Sequence, residues 1–239
     1  MPPRSTGPAS PGLGEAGRSP LSSRKKEIFM TRTFPSTLAG LALLGTSLGA
    51  QAHHAMDGAM PSTFTQGLLS GLAHPVIGLD HLAFIVAAAW LIAKRPAALR
   101  AGLAGAFVLA ALLGTVLHLN RVDVPGSELW VALSVVLAGA LVWTRQLAPA
   151  QGLWVLLPVA GGFHGYAYGE SIVGAEPTAL YAYLLGFVLI QWGVMVGISS
   201  ALNRLQASSF ARSAVTAGVA VTATGLWFSI SQAAGLLTV

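Results

Sequence analysis

Two short clusters in this sequence carry groups that ligate cations. The first runs His74-Pro75-Val76-Ile77-Gly78-Leu79-Asp80-His81, and the second Gly162-Phe163-His164-Gly165-Tyr166-Ala167-Tyr168-Gly169-Glu170. Asp80 and His81 are sequence neighbours and project about 100° apart on a helix. His74 and His81 share roughly one helical face, but are about 10 Å apart along a regular helix. One ion meets both only if the backbone around Pro75 and Gly78 leaves the helix, or if another helix bridges them. Imidazole and carboxylate suit nickel, cobalt and zinc. The chain has no cysteine, so a thiolate site, a disulfide scaffold and a Cys nucleophile are excluded. His53 and His54 are candidates for metal capture, and His118 and Glu176 are weaker candidates. Each group also has a plainer reading. His118 suits a hydrogen-bonded structural role, and Asp80 with His81 suits a proton relay or structural pair. Tyr166 and Tyr168 suit interfacial anchors. Glu176, before Pro177, suits the start of a helix, where negative charge is favourable.

These clusters sit in a chain that reads as membrane-embedded. Of 239 residues, 54% are hydrophobic and 9% charged, against about 25% charged in an average soluble domain. Mean hydropathy is +0.69. A disordered chain, a nucleic-acid-binding module and an ordinary soluble enzyme are excluded. The basic pI does not revive nucleic acid as a partner. Six basic residues (Arg4, Arg18, Arg24, Lys25, Lys26 and Arg32) lie in residues 1–52, and from residue 53 onward the net charge is only +1. Residues 1–29 are rich in Pro, Gly, Ser and Arg, cannot bury a core, and read as upstream sequence before a start at Met30. Residues 30–52 read as a cleaved signal peptide: Arg32 supplies a basic start, Leu38 to Ala50 an apolar run, and Ala50-Gln51-Ala52 the cleavage pattern. Residues 53–74 follow as an outer-face segment with an amphipathic stretch from Thr63 to Ala73.

Residues 75–239 read as an all-α polytopic membrane bundle of six transmembrane helices. The expected spans are Pro75–Ala93, Leu99–Leu119, Glu128–Thr144, Leu153–Tyr168, Thr178–Ser199 and Ser213–Gln232. Each is near the length that crosses a lipid bilayer. Gly102/Gly105 and Gly193/Gly197 read as small-residue packing faces. Basic residues concentrate in alternate loops, at Lys94, Arg95, Arg100, Arg145, Arg204 and Arg212, with Arg121 alone on the opposite side. Positive loops stay in the cytoplasm, so the mature N-terminus and the C-terminus are expected outside a bacterial cytoplasmic membrane. This places all six histidines on the outer half. Ionisable groups inside spans are costly and point to function.

The stretches HPVIGLDH (His74 to His81) and FHGYAYGESIVGAEP (Phe163 to Pro177) resemble the two hallmark motifs of the HupE/UreJ family of membrane proteins. The resemblance covers about residues 53–239. It implies uptake of nickel or cobalt as transported ions, with no permanently bound cofactor, and an indirect link to hydrogenase, urease or cobalamin synthesis. It assigns His74, Asp80, His81, His164 and Glu170 to transport. Many members have His where this chain has Tyr166 and Tyr168. The leading expectation is a divalent-metal permease that is not an enzyme; no Walker A loop is present to hydrolyse ATP. Two alternatives remain. One is an intramembrane zinc hydrolase using His74, His81 and His164, with Glu170 or Asp80 as base. The other is a metal-binding accessory that conducts nothing.

Overall fold

The computed structural model describes residues 60–145 and 149–237, all of them helix or short connection. Seven helices follow one another: α1 Phe64–Ile77, α2 Leu79–Ile92, α3 Ala97–Leu119, α4 Ser127–Trp143, α5 Ala150–Glu170, α6 Pro177–Asn203 and α7 Ala207–Leu237. The expected upstream segment, signal peptide, His53 and His54 lie outside the described residues.

α1 starts on a capping box. Thr63 Oγ1 accepts from the Gln66 amide, and Gln66 Oε1 accepts from the Thr63 amide, so two end groups that a helix leaves open are satisfied locally. The amphipathic stretch expected from Thr63 is thus a helix in its own right, and it runs on through Pro75. The break comes at Gly78, whose ψ of 104° leaves the helical region. Pro75 brings no amide to the ladder, and glycine tolerates the exit that follows. The two segments meet at 74°. The first span expected at Pro75–Ala93 is therefore a broken pair rather than one helix starting at the proline.

α2 is the hub. It packs against α4, α6 and α7 and touches α1 and α3. Phe84, Ile85, Ala87, Ala88 and Ile92 are buried against Leu103 and Phe107 of α3, Val135 and Ala138 of α4, Leu157 of α5, Met195 of α6 and Val221 of α7. With 14 residues it is about 21 Å long, short of a bilayer's hydrocarbon thickness.

Around α2 the other helices pair closely, and glycine makes each pairing possible. A Cβ on Gly165 or Gly161 of α5 would run into the carbonyls of Ala111 and Phe107 on α3. Gly67 and Gly71 of α1 meet α6 in the same way, and Gly218 and Gly225 of α7 meet α4. Close backbone approach of this kind is how helices associate in lipid. The small-residue faces expected from sequence lie elsewhere. Gly105, Gly193 and Gly197 have nothing within 4 Å, and Gly102 meets only the Trp154 ring.

The end of the bundle opposite the histidines is closed by cations. Lys94 Nζ donates to the carbonyls of Asn203 and Leu205, each at 3.1 Å, where α6 ends. It also stands 4.6 Å over the Phe210 ring. A positive charge suits that negative helix end. Arg100 donates to the Arg95 carbonyl at 2.8 Å.

Large apolar side chains face outward, among them Leu109, Leu113, Val155 and Ile230, as lipid contact requires and water does not permit over so wide an area. α3, α6 and α7 are long and apolar enough to cross a membrane, and the α1–α2 pair makes a fourth span if taken together. Length and composition thus give three or four spans where the sequence reading expects six. α4 is short at 17 residues. α5 spends its apolar length on Pro158, five glycines and the polar run from His164 to Glu170.

Gly165→Ala is expected to lose about 1–3 kcal/mol through overpacking. Gly193→Ala, in open space, is expected to hold or gain up to about 1 kcal/mol of helix propensity. Urea unfolding of the purified protein in detergent measures both. Equal losses would show that the α3–α5 approach is not tight.

Candidate functional site

The break at Gly78 leaves the first amides of α2 without helical partners, as any helix start does. Asp80 answers this directly: its Oδ1 accepts the His81 amide at 2.8 Å. A carboxylate in the first turn also suits the positive end of the helix. Asp80 is 5% exposed, so it has a structural task before any chemical one.

His81, the next residue, points its imidazole across to α5. His81 Nδ1 lies 2.7 Å from His164 Nδ1. His164 is fully buried, with its ring against Phe84 at 4.6 Å and Phe107 at 6.0 Å between centroids. Thr115 Oγ1 donates to the Gly165 carbonyl at 2.7 Å and ties α3 to α5 beside it. On its far side, His164 Nε2 lies 2.9 Å from Ser134 Oγ on α4.

Ser134 has one hydroxyl proton and two acceptors in reach, the Val131 carbonyl at 2.7 Å and His164 Nε2 at 2.9 Å. With the proton on the carbonyl, Ser134 Oγ accepts from His164 Nε2–H. Neutral His164 then accepts at Nδ1, and His81 donates from its own Nδ1. The Nε2 lone pair of His81 is left on the Asp80 side, 4.0 Å from Asp80 Oδ1. The chain Val131–Ser134–His164 thus sets the tautomer of His81, which is how partners behind a ligating histidine fix the nitrogen it offers.

The other candidates are placed less evenly. His74 is buried and meets the Tyr168 ring edge-on at 5.0 Å, while His81 stacks on that ring at 4.1 Å. The Tyr183 hydroxyl lies 3.4 Å from His74 Nδ1. Glu170 ends α5 and is exposed. Glu176 is exposed and precedes Pro177 at the start of α6, which matches its plainer reading. His118 packs on Tyr166 at 4.6 Å. Tyr166 donates to the Val122 carbonyl at 2.8 Å and accepts from the Val124 amide at 3.2 Å, so it pins the α3–α4 connection. Tyr168 is buried to 0% and is not an interfacial anchor.

Glu128 is the residue the sequence reading missed. It sits half-buried in the first turn of α4, within electrostatic reach of both Asp80 and Glu170. Its signal in the sequence was present, since it opens an apolar run, but a carboxylate at a helix start has an ordinary explanation. Among the described residues, no three His, Asp or Glu side chains converge closely enough to hold one ion as they stand. Both His74 and His81 pack on the Tyr168 ring.

Comparison with known proteins gives one family and one relative. The family model described as HupE / UreJ protein matches residues 41–228. Protein HupE of Rhizobium leguminosarum bv. viciae is 28% identical over 156 residues, which cover 65% of this chain and 82% of that protein. No solved structure matches.

Nitrogen NMR of the histidine rings is expected to place the proton of His164 on Nε2 and that of His81 on Nδ1. Ser134→Ala removes the acceptor for a fully buried N–H and is expected to cost about 1–3 kcal/mol of stability. The same two tautomers in Ser134→Ala would show that the relay does not set them.

Proposed function

The chain belongs to the HupE/UreJ family, and from that premise we propose that it is a permease carrying a divalent transition-metal ion, nickel or cobalt, across the bacterial inner membrane. The observation that carries the reading is the buried His81–His164 contact at 2.7 Å with Asp80 beside it. Ionisable groups are expensive inside a bundle that faces lipid, and a passing cation gives them a use. His81 Nε2 and the Asp80 carboxylate bind the ion first, and His164 holds the His81 ring in the ligating tautomer. Glu128 and Glu170 gather cations at the mouth, with His74 behind them. His53 and His54, at the mature N-terminus, serve capture.

Should an ion take His164 as a ligand too, the two imidazoles must part. Nitrogens bound at about 2.1 Å to one metal stand roughly 3 Å or more apart, against 2.7 Å here. That contact is a single hydrogen bond, with a net worth of about 1 kcal/mol, so metal binding opens it easily. The hydrolase alternative has weaker support, because His74 packs with Tyr168 and Tyr183 while His81 and His164 pair with each other.

In this reading the mature N-terminus and the C-terminus lie outside, and the histidine end of the bundle faces out. Reporter fusions after Arg95 and Gln206 are expected to give cytoplasmic signals, and a fusion after Glu170 an external one. The metal serves hydrogenase, urease or cobalamin synthesis downstream.

Uptake of radioactive nickel or cobalt into proteoliposomes is the decisive measurement. Asp80→Ala, His81→Ala and His164→Ala are each expected to abolish it, with double variants no worse than singles. Glu128→Gln is expected to lower uptake roughly tenfold, as loss of a supporting ligand group does. Normal transport by His81→Ala would overturn the site, and no flux in wild type would overturn the permease.

A further inference from the structure

The end of the bundle opposite the histidines is fastened by two cationic side chains whose acceptors are all neutral. Lys94 lies in the connection between α2 and α3, yet it donates to the Leu202, Asn203 and Leu205 carbonyls, 108 to 111 residues further along. A lysine ammonium has three N–H donors, and all three have acceptors here. Its charge also faces the Phe210 ring of α7. Arg100, in the first turn of α3 and 8% exposed, donates from Nη1 to the Arg95 carbonyl and from Nη2 to Ser200 Oγ of α6 at 3.3 Å. Two side chains thus join the α2–α3 region to α6 and α7. Among the described residues the carboxylates, Asp80, Asp123, Glu128, Glu170 and Glu176, all belong to the histidine end. Arg100 Nε is buried without a partner among the described residues. A buried unpaired N–H is costly, so the fastened arrangement is held at a penalty.

We propose that Lys94 and Arg100 form the inner gate of this protein: fastened, they shut the way out of the bundle to a cation, and the α2–α3 connection lets go of α6 and α7 when the ion leaves. The inference rests on the permease reading above and adds the step after binding. Fixed positive charge in a passage is a barrier to cations, and no described carboxylate at this end offsets it. Alternating access exposes a bound ion to one side at a time, so this end has to be closed while the histidine end accepts an ion. The bonds suit that task. Each is a hydrogen bond to a neutral acceptor, and water replaces it when the connection swings out. α2 is the mechanical link. It carries Asp80 and His81 in its first turn and ends two residues before Lys94, so a shift of the proposed ligands is passed to the gate.

The chain has no cysteine, so a single introduced thiol reports on access. Ser199, fully buried next to Ser200, is the probe at the inner end. Ser171, 8% exposed, is the control at the histidine end. Ser199→Cys and Ser171→Cys are made in the full chain, purified in detergent and timed with a maleimide. Lys94→Met keeps the stem and removes the charge. It is expected to speed labelling of Ser199→Cys roughly tenfold, the effect of losing about one hydrogen bond to a charged group, and to leave Ser171→Cys unchanged. Lys94→Arg is expected to keep Ser199→Cys protected. In proteoliposomes loaded with nickel chloride, Lys94→Met is expected to release the ion several-fold faster than wild type. Equal labelling of Ser199→Cys with and without Lys94→Met would overturn the gate. Faster labelling at both positions would also overturn it, because Lys94 would then be a general tie of the fold. Unchanged nickel release by Lys94→Met, with wild type transporting, would overturn the gate and leave the permease standing. Absence of nickel flux in wild type would bring down both, whatever the labelling shows.

Discussion

A hydrogen bond between two imidazoles, buried in a bundle that faces lipid, is the contact on which the rest of this structure depends. His81 and His164 are 83 residues apart in sequence and 2.7 Å apart in space. Each nitrogen taken out of water must find a partner or cost free energy. The elements can be read as the means of making that contact. The exit at Gly78 starts α2 deep enough for His81 to face α5. The glycines at 161 and 165 bring α5 against α3, and Thr115 then holds the Gly165 carbonyl next to His164. Ser134 on α4 supplies the last acceptor. At the other end, Lys94 ties the end of α2 to the end of α6, which fixes the depth of the hub helix.

Much of this was legible in the sequence. The two clusters that resemble the family motifs are the two that meet, and the family membership holds over residues 41–228. Residue type alone carried that signal, because Asp and His are rare inside apolar helices. The remainder needed three dimensions. Pro75 and Gly78 together mark a place where the helix can break, with Pro75 suited to a first turn; the exit falls at Gly78, because a proline spoils one ladder position while a glycine permits a change of backbone direction. Gly193 and Gly197 have the spacing of a packing face, but spacing does not say which face of a helix meets protein. Gly161 and Gly165 have the same spacing and do meet it. Tyr168 near a helix end resembles an anchor until the fold buries it. Glu128 was hidden because its carboxylate has an ordinary reason to open a helix.

The span count shows a similar limit. Six apolar stretches exist in the sequence, but α5 is interrupted by a proline and ends in a polar cluster, and α4 is short. Only α5 is diluted by the polar chemistry it houses; α4 is an apolar helix that falls short in length, and α2 counts only together with α1. The deficit therefore falls on the elements that build the site: α5 holds His164, α4 holds Ser134 and Glu128, and α2 holds Asp80 and His81. α6 and α7, which contribute none of these, have lengths of 27 and 31 residues and cross with apolar length to spare.

Asp80 joins structure to function most tightly. Its carboxylate closes the first turn of α2 by accepting the His81 amide, and the same carboxylate lies 4.0 Å from His81 Nε2. One oxygen is committed to the backbone, and a carboxylate retains further lone pairs for a cation. On the proposed permease reading, an ion drawn to those lone pairs would meet the same group that caps the break. The two helices around the break carry one carboxylate between them, in the first turn after it, so the cap and the proposed ligand are a single side chain.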